Sequence, residues 1–247
     1  MGEKLQNPPV IEALCEFRFD KTFPWDWTIP GRLYNRIGNK FQERSEVTTM
    51  GLEIKAEGRI PLAIHTAPER IQFRRSDGSA LVQVGPHLLV INYLLPYRSW
   101  KDFRKLIVDI YKEHEGVKEP GRIEKVGLRY INQLEVSESQ FKIGDYITLN
   151  PPLKNALHRP VHTFYQRYEL LYDQPHGVLI HQSGINKTER RTFLMLDLEF
   201  VSVDLSNIDV DEVIVRWLDD AHDRIEEAFI VSLIPKLYEQ LKRGGGT

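Results

Sequence analysis

Residues 125–136 read Lys125-Val-Gly-Leu-Arg-Tyr-Ile-Asn-Gln-Leu-Glu-Val136, and their alternation sets the fold class. Val126, Leu128, Tyr130, Leu134 and Val136 fall on one parity, while Arg129, Gln133 and Glu135 fall on the other. Successive side chains of a strand point to opposite faces, so the run is a strand with one apolar face. Asn132 interrupts that face, and a buried amide must find partners or cost about 1–3 kcal/mol. Either it ties down a neighbouring loop or it contacts a ligand. Arg129 points the other way, where Glu12 and Glu16 also lie if the first strand shares the sheet. There it serves a cross-sheet ion pair or recognises an anion.

Upstream, Ile11, Ala13, Cys15, Phe17 and Phe19 alternate with Glu12, Leu14, Glu16 and Arg18, a second half-apolar strand. Cys15 sits on its apolar side and reads as a small buried hydrophobe. Thr28-Ile-Pro30 predicts a helix start, with Thr28 as cap, Pro30 in the first turn and Leu33, Ile37 and Phe41 as the buried stripe. Trp25 and Trp27 precede it, either packing the strand–helix corner or forming an aromatic ligand platform. From Met50 to Asn92 the texture is β. It comprises Leu52-Glu-Ile54, then Arg70–Arg75 and Ala80–Val84 joined by the turn Ser76-Asp-Gly78, then His87–Asn92. Gly85-Pro86 marks either a bulge or a new strand. Ser99 and Asp102 cap a second helix whose apolar side is Phe103, Leu106, Ile107, Ile110 and Tyr111. Residues 1–137 thus read as βαβββαβ, a decorated ferredoxin-like unit by element order.

Residues 138–247 hold a short helix near Pro152–Leu157, then strands at Thr163–Tyr172, Val178–Ile185 and Thr192–Val203. Turns at Asp173–Gly177 and Asn186–Arg190 make them a meander. A long helix follows. Asp209 and Glu212 form its capping box, Val213, Trp217, Ile225, Phe229 and Leu233 its inner face, and Pro235 kinks or ends it. Pro160-Val161 echoes Pro9-Val10, so the second half reads as a possible diverged repeat packed on the first. The expected fold is α+β, with mostly antiparallel sheets and packed helices.

Composition bounds the function. Against 33 basic residues stand 35 acidic ones, a net charge of −2 without the basic excess of a generic nucleic-acid binder. The single cysteine excludes an intramolecular disulfide and a thiolate-rich metal site. The first residues lack the apolar core of a signal peptide, and the longest apolar run, Leu88–Ile91, is far short of the ~20 residues that span a bilayer. A soluble, cytoplasmic protein without membrane contact is expected. No phosphate loop, dinucleotide fingerprint, nucleophile elbow or zinc signature is present, so no cofactor is expected and the enzyme reading is the weaker one. Asp197 and Glu199 project from one face of the strand Thr192–Val203, as a cation site or acid–base pair would require. No further ligands stand near them in sequence, and a solvated sheet face explains them as well.

Asn7-Pro-Pro-Val-Ile-Glu-Ala13 with Gly127-Leu-Arg-Tyr-Ile-Asn132 resembles the paired signatures of a sporadically distributed bacterial family, the TIGR04255-type family, of about this chain's length. The resemblance covers essentially the whole chain. It implies no activity; the patchy distribution implies a link to mobile elements, antiphage systems or toxin–antidote pairs. Glu12, Arg129 and Asn132 are the motif positions. The function expected is a non-catalytic binding or regulatory module that contacts a protein partner or forms a homo-oligomer. The alternatives are a small-ligand or nucleotide sensor using Arg129, Asn132, Trp25 and Trp27, and a metal-dependent hydrolase using Asp197 and Glu199.

Overall fold

A computed structural model describes residues 5–22, 24–53, 63–117, 122–136, 143–148, 162–187, 191–203 and 210–244. In chain order the elements are β1 (Val10–Phe19), α1 (Thr28–Ile37), β2 (Glu43–Glu53), β3 (Ala63–Arg74), β4 (Ala80–Gly85), β5 (Leu88–Leu94), α2 (Trp100–Glu115) and β6 (Ile123–Val136). After a 3-10 turn at Ile143–Asp145 come β7 (Tyr165–Asp173), β8 (His176–Lys187), β9 (Thr192–Ser202), α3 (Val210–Ser232) and α4 (Pro235–Lys242). The fold is α+β. All nine strands join one sheet in the order β2-β3-β4-β5-β1-β6-β9-β8-β7, every neighbouring pair antiparallel.

The expected strand at residues 125–136 is β6, which lies beside the middle strand of this sheet. It pairs with β1 on one side and β9 on the other, from Gly127 opposite Val201 to Val136 opposite Thr192. The halves of the chain therefore share one continuous sheet rather than two packed against each other. Val126, Leu128, Tyr130 and Leu134 are buried, as are Ala13, Cys15 and Phe17 of β1 and Leu194, Leu196, Leu198 and Phe200 of β9. These face the helices, and they form one core with Ile29 and Leu33 of α1, Phe103 and Ile107 of α2, and Trp217, Leu218 and Ile225 of α3. Non-directional burial of that single layer, at about 25 cal/mol per Å² of apolar surface, holds the sheet to its helices.

Among the described residues, four strands lie between α1 and α2 where three were expected. Gly85-Pro86 opens a new strand: β4 pairs with β5 around it, Gly85 opposite Leu88, with His87 at φ 57 in the connection. β2 also starts at Glu43, earlier than the apolar pattern indicated. Its first residues, Glu43-Arg44-Ser45-Glu46, are exposed on an edge strand, where neither face must be apolar. The β3–β4 hairpin is as read, with Gly78 at φ 72 in its turn and the Asp77 side chain accepting from Ser79 N at 2.9 Å.

Two cap assignments divide. Ser99 Oγ accepts from Asp102 N at 3.2 Å, the cap expected of α2, and donates to the Asp102 carboxylate at 2.7 Å. Thr28 is not the cap of α1; it is the first helical residue, and Asp26 accepts from Thr28 N at 2.7 Å. Phe41 is buried but lies beyond the end of α1. The long helix α3 stops at Ser232, and Pro235 begins α4 at its first turn, where a missing donor costs nothing. The Pro152–Leu157 helix and Asp209 fall outside the described residues. No helix among the described residues is long and apolar enough to cross a membrane.

Candidate polar site on the sheet face away from the helices

Strand alternation sends Glu12 and Glu16 (β1), Arg129 (β6), Asp197 and Glu199 (β9) and Gln182 (β8) to the face turned away from the helices. The register then sets their neighbours. Arg129 stands directly opposite Glu199, and Asp197 opposite Ile131 on one side and Gln182 on the other. Arg129 reaches diagonally to Asp197 with two parallel bonds, Nε to Oδ1 at 2.8 Å and Nη2 to Oδ2 at 2.5 Å. The planar guanidinium matches a carboxylate in this fork, which adds geometric specificity to the charge attraction. Gln182 Nε2 donates to the same Oδ2 at 3.2 Å. Hydrogen bonding to Asp197 raises the Arg129 pKa against the opposing effect of burial, so the guanidinium stays charged.

Glu199 behaves differently. Burial pushes its carboxyl pKa up, opposed by the charges of Arg129 and Lys125. Gly127, across the ladder, leaves it room: a Cβ there would come within 3.2 Å of Glu199 Oε1. Glu16 holds Arg18 Nε at 2.6 Å, and both side chains keep partial solvent contact.

Glu12 ends a chain of side-chain hydrogen bonds that crosses five strands. Ser45 Oγ donates to Gln72 at 3.5 Å, Gln72 Nε2 to Gln83 at 2.9 Å, Gln83 Nε2 to Asn92 at 3.0 Å, and Asn92 Nδ2 to Glu12 Oε1 at 2.6 Å. Gln83 and Asn92 are buried. Each amide donates onward and accepts from behind, so the row is satisfied internally and ends on a carboxylate, the strongest acceptor available. Sequence reading passed over Gln72, Gln83 and Asn92. Their parity places them on one face, but only the pairing of β3, β4, β5 and β1 shows that they touch.

Beside the ion pair opens a cavity of about 450 Å³ lined by Arg129, Asp197, Gln182, Tyr165, Phe164 and Met195 among others. Arg129 is thus the one sequence-selected polar residue of β6 that borders it. Asn132 lies on the opposite, helix-facing side of the same strand. It is buried and donates from Nδ2 to the Leu196 carbonyl at 3.1 Å, tying β6 to β9. Trp25 and Trp27 meet edge to face at 5.6 Å in the loop before α1, away from the cavity lining. Trp25 packs against the core and Trp27 is exposed.

Among the described residues, the metal reading of Asp197 and Glu199 finds no third ligand. Asp197 is engaged by Arg129, whose cation occupies the place an ion would take. Among the described residues, only His222, Asp223 and Glu226 of α3 stand close enough to share an ion, and they lie on the helix side. There His222 stacks on Trp100 at 4.5 Å, as expected of packing. A second buried pair on that side is His181 and Ser232, 2.8 Å apart. Ser232 Oγ donates to the Ala228 carbonyl at 2.6 Å, so His181 Nε2 must donate to Oγ, and the neutral ring is the form that fits. Desolvation lowers the His181 pKa accordingly.

Fold and site together define an α+β protein on one antiparallel sheet, with an ion-paired cavity on the face its helices leave. Set against known proteins, the chain matches no family model and no curated protein.

Proposed function

We propose that the protein is a non-catalytic binding module whose working surface is the outer edge of the sheet at β7. The observation that carries this is apolar exposure on an edge strand. Tyr165 is 68% exposed, Tyr168 47%, Leu170 48% and Leu171 85%, and β7 ends the sheet order. A strand edge offers unpaired main-chain donors and acceptors, and natural proteins blunt such edges with charge unless a partner covers them. β2, at the opposite end, opens with Glu43, Arg44 and Glu46, whereas β7 sets Arg167 and Glu169 among four large exposed Tyr and Leu side chains. Addition of a partner strand to β7 uses the backbone for affinity and the exposed side chains for specificity.

The paired bacterial-family signatures, a cytoplasmic setting and a conflict-related role belong to this reading. So does a ferredoxin-like core of β6-β1-β5-β4 enlarged by a β2–β3 hairpin. The test is site-specific photo-crosslinking in the source cells, with a photoreactive side chain placed at Leu171 and, as control, at exposed Lys21. Protein adducts from position 171 and not from position 21 are expected. Equal or absent adducts at the two positions refute the reading.

The cavity favours a second reading, a small-ligand sensor. Its volume of about 450 Å³ falls within the range of ligand sites, about 300–1,000 Å³. A nucleotide and metabolite thermal-shift screen should then give a specific rise in melting temperature that Arg129→Met removes. A screen without such a rise counts against it.

A further inference from the structure

The sequence of β7, Tyr165-Gln-Arg-Tyr-Glu-Leu-Leu-Tyr-Asp173, is complementary to itself when reversed about Tyr168. Phe164 O accepts from Ile185 N at 3.3 Å, in the register that sets Tyr165 opposite Gly184. Main-chain groups of a strand alternate in direction, so Phe164 and the even positions of β7 face β8, and the odd positions face outward. Tyr165, Arg167, Glu169 and Leu171 therefore present their N–H and C=O groups to whatever strand is added. Their side chains share one face of the sheet.

We infer that the occupant of this edge is a second copy of the chain, paired antiparallel through β7 about a two-fold axis at Tyr168. The inference rests on the binding reading above and names its partner. In this register Arg167 stands opposite the partner's Glu169, and Glu169 opposite the partner's Arg167. Tyr165 meets the partner's Leu171, and Leu171 the partner's Tyr165. On the other face Tyr168 meets the partner's Tyr168, and Leu170 meets the partner's Gln166. An isologous contact makes each of these pairs twice, apart from the one on the axis. Opposite charges and aromatic–aliphatic pairs directly across strands are the favourable combinations, and like charges are not.

The charges also select the register. Sliding one strand by two residues sets arginine against arginine in one direction and glutamate against glutamate in the other. A slide by one residue would turn the partner's core face the wrong way. Within the isolated chain Arg167 closes on Glu169 of its own strand, with Nε to Oε1 at 2.9 Å. Both side chains remain largely exposed, and they are free to exchange that neighbour for the partner's.

Sedimentation velocity on the full chain tests the pairing through charge exchange. The wild type should sediment as a dimer. Arg167→Glu alone and Glu169→Arg alone each place like charges opposite in both symmetric contacts, and should weaken self-association by about tenfold or more. Mixing the two single variants restores opposite charges in both contacts and should give a heterodimer. The double variant R167E/E169R should again form a homodimer. Circular dichroism of each single variant establishes that it is folded. A monomeric wild type overturns the inference, as do single variants that dimerise as tightly as wild type or single variants that do not rescue each other. A monomeric wild type that still gives specific adducts at position 171 removes only the second copy and leaves the binding reading in place.

Discussion

The Arg129–Asp197 pair gives the sharpest account of what the polar sheet face contributes to stability. Replacing Arg129 with Met keeps much of the aliphatic stem, which covers neighbouring apolar surface, and removes the fork. Asp197, only 17% exposed, then still accepts from Gln182 at 3.2 Å. An exposed pair is worth about 0–1 kcal/mol, and removing one member of a fully buried pair costs about 3–5 kcal/mol. With Arg129 34% exposed, the pair lies between these limits, and a loss of about 2 kcal/mol is expected. For a chain of this size that lowers the melting temperature by roughly 4–8 °C. The assay is a double-mutant cycle by urea unfolding with Arg129→Met, Asp197→Asn and both. The double variant should be less destabilised than the sum of the singles by about 1–2 kcal/mol. Additive single effects would mean that the two groups are solvated independently, and the ion-pair account of the cavity floor would fail.

Other consequences follow from the same contacts. Asn92→Leu leaves Gln83 Nε2 without its acceptor and Glu12 without its donor, so calorimetry should register a loss of about 2–3 kcal/mol, whereas exposed Ser45→Ala should cost about 0.5 kcal/mol or less. Gly177→Ala would bring a Cβ to 2.5 Å from Phe200 Cε1 and 2.6 Å from the Val201 carbonyl. Since the backbone cannot yield cheaply, a destabilisation of about 1–3 kcal/mol should appear in denaturant melts. Glu199 has a raised folded pKa, so the folded state binds its proton more tightly than the unfolded chain. Its contribution therefore disfavours folding above the raised pKa and fades as pH falls through it. Glu199→Gln should be more stable than wild type at neutral pH and should converge with it in acid, as measured by melting temperature against pH. For His181 the sign is opposite. Its lowered pKa means that the folded state resists protonation, so it should stay neutral by NMR below pH about 6.5, where an unperturbed histidine charges.

How much of this was legible in the chain follows from which signals are local. Period-two alternation at Lys125–Val136, Ile11–Phe19 and Thr192–Val203 identified three central strands, because strands buried on one face must alternate to stay there. Helical spacing located α2, and the Ser99–Asp102 cap named its start. The start of β2 escaped because its opening residues are charged and carry no apolar alternation. The cap of α1 was misplaced because Thr28 carries a competent acceptor for a helix start; the helix instead begins at Thr28 itself, after Trp27, and Asp26 accepts from Thr28 N.

For the site, sequence parity by itself separated Arg129 from Asn132 onto opposite faces and put Asp197 with Glu199 on one face. Which of those carboxylates meets Arg129 was a matter of register between β6 and β9, set by contacts 68 residues apart in the chain. The same holds for the side-chain row ending at Glu12, whose members lie on five strands, and for β7. Its self-complementary order of charges is plain in the sequence, but only the tertiary structure makes β7 an edge. Faces are fixed by local stereochemistry; neighbours and edges are fixed by how strands pair at long range.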